Sequence, residues 1–278
     1  MELVKVINCG LEGVTRVSYF PLLSAPGCNG LTTLHNFPPN NWEYLHREKQ
    51  LVNLTWAQNG DWHSITLGEM AFGAIQTFSR ADFSVYVPED TIPLLSLDPA
   101  PLPQRRKFLS VGRHHTTVPM WRATISLETT KASTCYQGEI DPFPAPGSLL
   151  TFLPFMQFGD EIENYLLLMN LEKNPEKRIS KVNLYDIAEP IRLCGNFEVS
   201  NNSIFVVSFD GLSLGPESLP VLICRDMSYI PLFFSKTADG SFLSLEHTHP
   251  PASFVIHGKR WEAQKYLKKY WFEKLGQV

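Results

Sequence analysis

The sequence predicts an all-β chain, mainly an antiparallel β-sandwich, with one amphipathic helix at its C-terminal end. Three observations carry that expectation. Prolines and glycines, 21 and 17 among 278 residues, punctuate the chain throughout. The segments between them are short and rich in β-branched and aromatic side chains, which suit a pleated, half-buried surface. Turn signals recur at intervals of about 8 to 12 residues, the rhythm of a sandwich or barrel. With 44% hydrophobic residues, a chain of this length buries a sizeable core, so disorder of the whole is excluded.

Taken from the N-terminus, strands are expected over residues 3–8, 14–20, 50–56, 71–78 and 83–87. Residues 25–30 and 36–41, rich in Pro, Gly and Asn, read as long loops able to border a pocket. Pro88, Pro93, Pro99, Pro101 and Pro103, followed by Arg105-Arg106-Lys107, have the composition of a connector. The expected organisation is an N-terminal β domain (1–103), a C-terminal β-sandwich domain (104–258) and a helix (259–278) packed on the sandwich. Beyond the connector, strands are expected over 119–128 and 149–158, around a Pro- and Gly-rich loop at 141–147. Alternating segments follow at 164–171, 179–185, 191–199, 203–209, 219–224, 229–235, 242–249 and 253–257. In architecture this half resembles an immunoglobulin-type sandwich, a likeness that implies a fold and no function. The end of the chain differs: Ala263, Tyr266, Leu267, Tyr270, Trp271 and Leu275 recur at three- and four-residue spacing, the stripe of an amphipathic helix.

Composition narrows the function classes. Lys plus Arg total 24 against 28 Asp plus Glu, so no global positive field exists to hold nucleic acid or an anionic membrane. Cys9, Cys28, Cys135, Cys194 and Cys224 include no close pair, which suggests ordinary, mostly buried thiols rather than a disulfide framework or a cysteine zinc site. No window approaches a membrane span and the N-terminus carries no secretory pattern, so the expected location is cytoplasmic. The matches Asn53-Leu54-Thr55 and Asn201-Asn202-Ser203 to the glycosylation pattern then have no consequence.

The densest chemistry lies at Glu246-His247-Thr248-His249, with His257 beyond. On a strand, His247 and His249 share a face, and a return strand after Pro250-Pro251 could bring His257 to the same space. Three neutral imidazoles are a ligand set for a divalent transition metal, with Glu246 or Arg113 as auxiliary groups. Against that stand the absence of a glutamate a few residues after the His-x-His pair and the competing role of histidines at a strand end, bonded to backbone. His114 and His115 would point to opposite faces of a regular strand. Arg225 could lower the Cys224 thiol pKa, though an inert buried cysteine suits so apolar a strand better. Glu139 and Asp141 are in phase, yet read more simply as a polar edge before Pro142.

Aromatic loops offer the other chemistry. Trp42-Glu43-Tyr44 and the stretch from Trp56 to Trp62 could stack on sugar rings, and Trp261, at the helix start, could wall a pocket beside His257. The helix interleaves lysines with aromatics, a pattern shared by surface-binding helices and by helices docked on a sheet with lysine stems at the rim. The leading expectation is a non-catalytic recognition or accessory protein binding a carbohydrate or a protein partner, through Trp42, Trp62, Arg113 and Trp261. The alternative is a metal-dependent enzyme using His247, His249 and His257. A third is an assembly protein that docks through its final helix.

Overall fold

The computed structural model describes residues 19–36, 49–98, 100–109, 122–137, 140, 147–151, 156–159, 161–247 and 260–277. These residues form mostly antiparallel strands and one C-terminal helix. The strands are β1 (Phe20–Pro21), β2 (Asn29–His35), β3 (Gln50–Gln58), β4 (Asp61–Met70), β5 (Ile75–Ser79) and β6 (Leu94–Asp98). Next come β7 (Arg105–Arg106), β8 (Arg122–Glu128), β9 (Ser133–Gln137), β10 (Ser148–Thr151), β11 (Ile162–Met169) and β12 (Ile179–Asp186). The last are β13 (Arg192–Ser200), β14 (Ile204–Ser208), β15 (Pro220–Cys224), β16 (Ile230–Thr237) and β17 (Leu243–His247), before helix α1 (Arg260–Lys274).

Four sheets result, ordered β1-β6-β3-β4-β7, β5-β2-β8-β9, β14-β11-β16-β17 and β10-β15-β12-β13. The first two share a core of Phe20, Leu34, Val52, Leu54, Phe78, Leu95 and Ala123. The last two enclose Leu150, Leu166, Leu168, Val182, Leu184, Leu222 and Phe233. A third cluster joins these two sandwiches: Trp62, Leu94, Ile125 and Leu127 meet Tyr165, Leu167, Leu232 and Phe234. Successive residues of β11 and β16 thus enter different cores, and that sheet is buried on both faces. Its strands read Tyr165-Leu166-Leu167-Leu168-Met169 and Leu232-Phe233-Phe234, the continuous apolar runs such burial requires. The alternation expected at 164–171 is corrected accordingly.

The far face of the β10-β15-β12-β13 sheet is covered by α1. Leu149, Tyr185, Val221, Ile223 and Leu275 form its seam, with Leu267, Trp271 and Phe272 packed against it. Arg225 donates to the Phe272 carbonyl at 2.5 Å, and Lys268 Nζ to the Gly147 carbonyl at 2.9 Å. Gly147 (φ +84°) is needed there, since a Cβ would stand 2.9 Å from the Arg225 carbonyl.

Several expectations need correction. The connector at 88–103 contains β6, which lies between β1 and β3. Strands β2, β4 and β9 occupy stretches where none was expected. Residues 83–87 form no strand: Ser79 and Asp82 make a capping box that starts a 3-10 turn, Arg80–Phe83. Pairing also runs across the 103/104 division, because β7 pairs β4 and β8 pairs β2. The sheets of the second sandwich do not establish an immunoglobulin-type strand order. Among the described cysteines only Cys224 is buried; Cys135 is exposed and all four are free thiols. No helix among the described residues is long and apolar enough to cross a membrane.

Candidate functional site

The β3–β4 hairpin closes on Asn59 and Gly60, both in the left-handed region (φ 53° and 73°), as a two-residue type I′ turn demands. This tip projects beside the β11–β12 connection and the β13–β14 turn. Between them lies a cleft of about 390 Å³, lined by Gln58, Asn59, Asp90, Thr91, Lys177 and Ser200 among others.

Ala57, Pro88 and Pro175 give part of its lining an apolar character, and hydrogen bonds brace its walls. The buried Asn202 accepts at Oδ1 from the Glu172 amide (2.7 Å) and donates from Nδ2 to the Asn174 carbonyl (2.8 Å). Asn201 accepts from the Arg178 amide (2.8 Å) and donates to the Glu176 carbonyl (2.9 Å). Asn170 Oδ1 accepts from the Asn202 amide (2.9 Å). Asn202 tolerates its φ of 51° because asparagine is among the residues most at ease in the left-handed region. Side-chain amides here take the place of secondary structure for a connection that has none, as buried backbone groups require.

The two sandwiches are tied together at this cleft. Ile92 N–H donates to the Asn202 carbonyl (2.9 Å), Leu109 N–H to the Lys173 carbonyl (3.0 Å), and Trp62 Nε1–H to that same carbonyl (2.8 Å). At the mouth, Lys177 Nζ meets Asp90 Oδ2 at 2.7 Å, both side chains being more than half exposed. Trp56 Nε1–H holds Gln58 by its Oε1 (3.0 Å), which leaves the Gln58 amide nitrogen for the cleft. Beside its apolar residues, the lining therefore offers neutral donors and acceptors with one cation and one carboxylate.

The expected ligand residue Trp62 is corrected by this geometry. It is fully buried, its indole spent on Lys173, so it has no face to offer a sugar. Trp56 is also buried, stacked on His63. The hairpin they belong to borders the cleft, but through its amide tip rather than its tryptophans. The signal that could have found it is Asn59-Gly60 between two β-rich segments. Trp42, Arg113, His249 and His257 lie outside the described residues, as do His114, His115, Glu139 and Asp141. His247 ends β17, opposite Leu232; its side chain and that of Trp261 are likewise not described. Glu246 is exposed. No group of three or more His, Cys, Asp or Glu able to hold a metal occurs among the described residues.

The remaining candidates make contacts within the fold. Cys224 Sγ lies 3.2 Å from Ser180 Oγ and 3.4 Å from Asp226 Oδ1 inside the second core. Arg225 does not serve that thiol: its guanidinium lies 5.2 Å over the Phe272 ring and binds the helix. Asn53 and Asn201, each heading a glycosylation pattern, are buried. No family model, curated protein or solved structure matches the chain.

Proposed function

We propose that this chain is a recognition or accessory protein that binds a carbohydrate in the cleft of mixed polar and apolar lining at the β3–β4 tip. The observation that carries the reading is a cleft of about 390 Å³ whose walls are fixed before any ligand arrives, by the Asn170, Asn201 and Asn202 bonds. Pockets of such volume suit small ligands, and a preorganised site loses little entropy on binding. Amide, hydroxyl, ammonium and carboxylate groups together match the mixed donor and acceptor character of a sugar ring. Site-bearing loops on a rigid β scaffold are a common arrangement for recognition.

A protein partner is favoured by one separate observation. Val85 and Tyr86, 89% and 55% exposed, immediately precede the turn that supplies Pro88 and Asp90 to the cleft. Such an apolar rim could anchor a loop of a partner whose polar tip enters the cleft.

A glycan panel read with the unaltered chain and with Asp90→Ala/Lys177→Ala separates the outcomes. The carbohydrate reading expects at least one glycan to be retained, with affinity falling roughly tenfold in the double variant, the loss of one charge-assisted contact or so. Retention that Val85→Ser/Tyr86→Ser abolishes, on a protein rather than a glycan, would favour the second reading. Glycan binding indifferent to the cleft variant, or none at all, would remove the carbohydrate reading.

A further inference from the structure

One face of helix α1 is exposed and packs on none of the described sheets. Its inner side is spent on the β10-β15-β12-β13 sheet through Leu267, Trp271 and Phe272. The opposite side presents Lys265, Tyr266, Lys269, Tyr270 and Glu273, all exposed, at the three- and four-residue spacing of a single stripe. Tyr266 is 81% and Tyr270 54% exposed, unusual for residues of their size. Lys274 lies over the rings of Trp271 (5.1 Å) and Tyr270 (5.9 Å), and so extends the cationic edge.

Charge sets this element apart from the rest of the molecule. From Arg260 to Lys274 the helix carries five cations (Arg260, Lys265, Lys268, Lys269, Lys274) and two carboxylates (Glu262, Glu273), a net charge of +3; among the described side chains of this set the exposed ones are Lys265, Lys269 and Lys274 with Glu273, which lies 3.9 Å from Lys269. The whole chain carries −4, which leaves −7 for everything else. A basic stripe on an acidic body is oriented by the body's own field, which turns α1 toward an anionic surface and the remainder away from it. Because Arg225 and Lys268 clamp the helix to the sheet, its outward face is held in one orientation.

We propose that the outer face of α1 is a docking surface for an anionic lipid bilayer, on which it lies flat without inserting. Lysines beside exposed tyrosines are the residue pair that membrane interfaces favour: the ammonium groups reach lipid phosphate and carboxylate, and the amphipathic phenols sit at headgroup depth. Shape argues for a bilayer over a nucleic-acid strand. A lone convex helix meets a plane along its length, whereas strand binding relies on a groove that tracks the backbone. With the apolar side of α1 already committed to the sheet, attachment is electrostatic, reversible and salt-sensitive.

Co-sedimentation of the full chain with phosphatidylcholine vesicles, with and without phosphatidylserine, tests this. The expected result is binding to the phosphatidylserine vesicles alone, released by raising the salt to about 0.5 M, where screening is short-ranged. Lys265→Glu/Lys269→Glu should abolish it, since each lysine near such a surface is worth about a fivefold change in partition. Tyr266→Ser/Tyr270→Ser should weaken it several-fold. Near-ultraviolet circular dichroism identical to the parent shows that the exposed substitutions leave the fold intact. Equal binding to both vesicles, binding to neither, or charge-reversed protein that still sediments would overturn the proposal. So would binding to a single-stranded oligonucleotide in place of vesicles, which would make the same stripe a nucleic-acid surface.

Discussion

Two sheets of this molecule are buried on both sides, by opposite chemistry. In the β14-β11-β16-β17 sheet both faces are apolar over most of their length: Leu166, Leu168 and Phe233 fill one core, while Leu167, Leu232 and Phe234 fill another. In the β1-β6-β3-β4-β7 sheet only one face is apolar along its whole length. On the other, Asn53, Thr55, Ser64, Ser96 and Asp98 are buried, joined by hydrogen bonds across four strands together with the half-buried Arg106. The comparison teaches that burial need not follow hydropathy when a sheet face can satisfy itself. Ser96 Oγ and Asn53 Nδ2 both donate to Asp98 Oδ2, at 2.8 and 3.2 Å, Thr66 donates to Asn53 Oδ1, and Arg106 donates to Ser64 and Thr55. The strip keeps its partners internal, yet Asp98 Oδ1 and Arg106 Nε find none among the described residues. Unpaired buried atoms are costly, so this second face stabilises less than the apolar one.

Core truncation should show the larger effect. Phe233 is fully buried, with its ring 5.8 Å from that of Phe209. Phe233→Ala should cost about 3–5 kcal/mol in chemical denaturation, from lost transfer free energy plus a cavity that close-packed neighbours on both faces cannot fill. A loss below about 1 kcal/mol would mean that the doubly covered sheet relaxes, and the contrast with the polar face would fail.

The polar face makes the opposite prediction, of a gain. Burial pushes the Asp98 carboxyl up from 3.8 to about 6, against the lowering effect of its bonds to Ser96 and Asn53 and of nearby Arg106. A raised carboxyl favours its protonated form in the folded state. Stability from this group is thus complete below about pH 4, declines as pH rises, and is lost once pH passes about 6. The penalty at neutral pH is on the order of 3 kcal/mol. Asp98→Asn keeps an acceptor for Ser96 and Asn53 and removes the charge. It should be more stable than the parent at pH 7 by about 1–3 kcal/mol and flatten the stability profile between pH 4 and pH 7. An unchanged slope over that range would assign the titration to another group.

The same contrast explains what could be read in the sequence. Where burial follows hydropathy, legibility was good: β11, β12, β15 and β16 lie within two or three residues of the expected strands, whereas α1 begins one residue after its expected start but leaves Tyr266 and Tyr270 of its expected apolar stripe exposed. Where it follows hydrogen bonding, legibility failed. β6 is Leu-Leu-Ser-Leu-Asp between proline-rich flanks and resembles a connector until its Asp98 is seen to accept from Ser96 and from Asn53 of β3. β4 carries Ser64, Thr66 and Gly68 along with a bulge in its pairing to β3, which hides its period. The cleft was illegible for a related reason: Asn170, Asn201 and Asn202 look like solvated turn residues until the connection they support is present. The aromatic signal pointed to a hairpin whose tip borders the cleft, but its two indoles are buried. Tryptophan spacing cannot distinguish an indole bonded to Lys173 from one facing solvent.

The smallest effect sharpens the comparison by setting its floor. At the open end of the β3–β4 pair Lys49 Nζ meets both Glu69 oxygens, at 2.8 and 2.9 Å, a geometry as good as any bond in the buried strip. Both side chains, however, are more than half exposed. Water competes for each charge, salt screens the pair, and two long side chains lose rotamer freedom to hold it. Lys49→Ala should therefore shift stability by under about 1 kcal/mol, and by less still in high salt. If it instead rivals Asp98→Asn in size, distance rather than burial governs the electrostatics of this sheet, and the polar face loses its special standing.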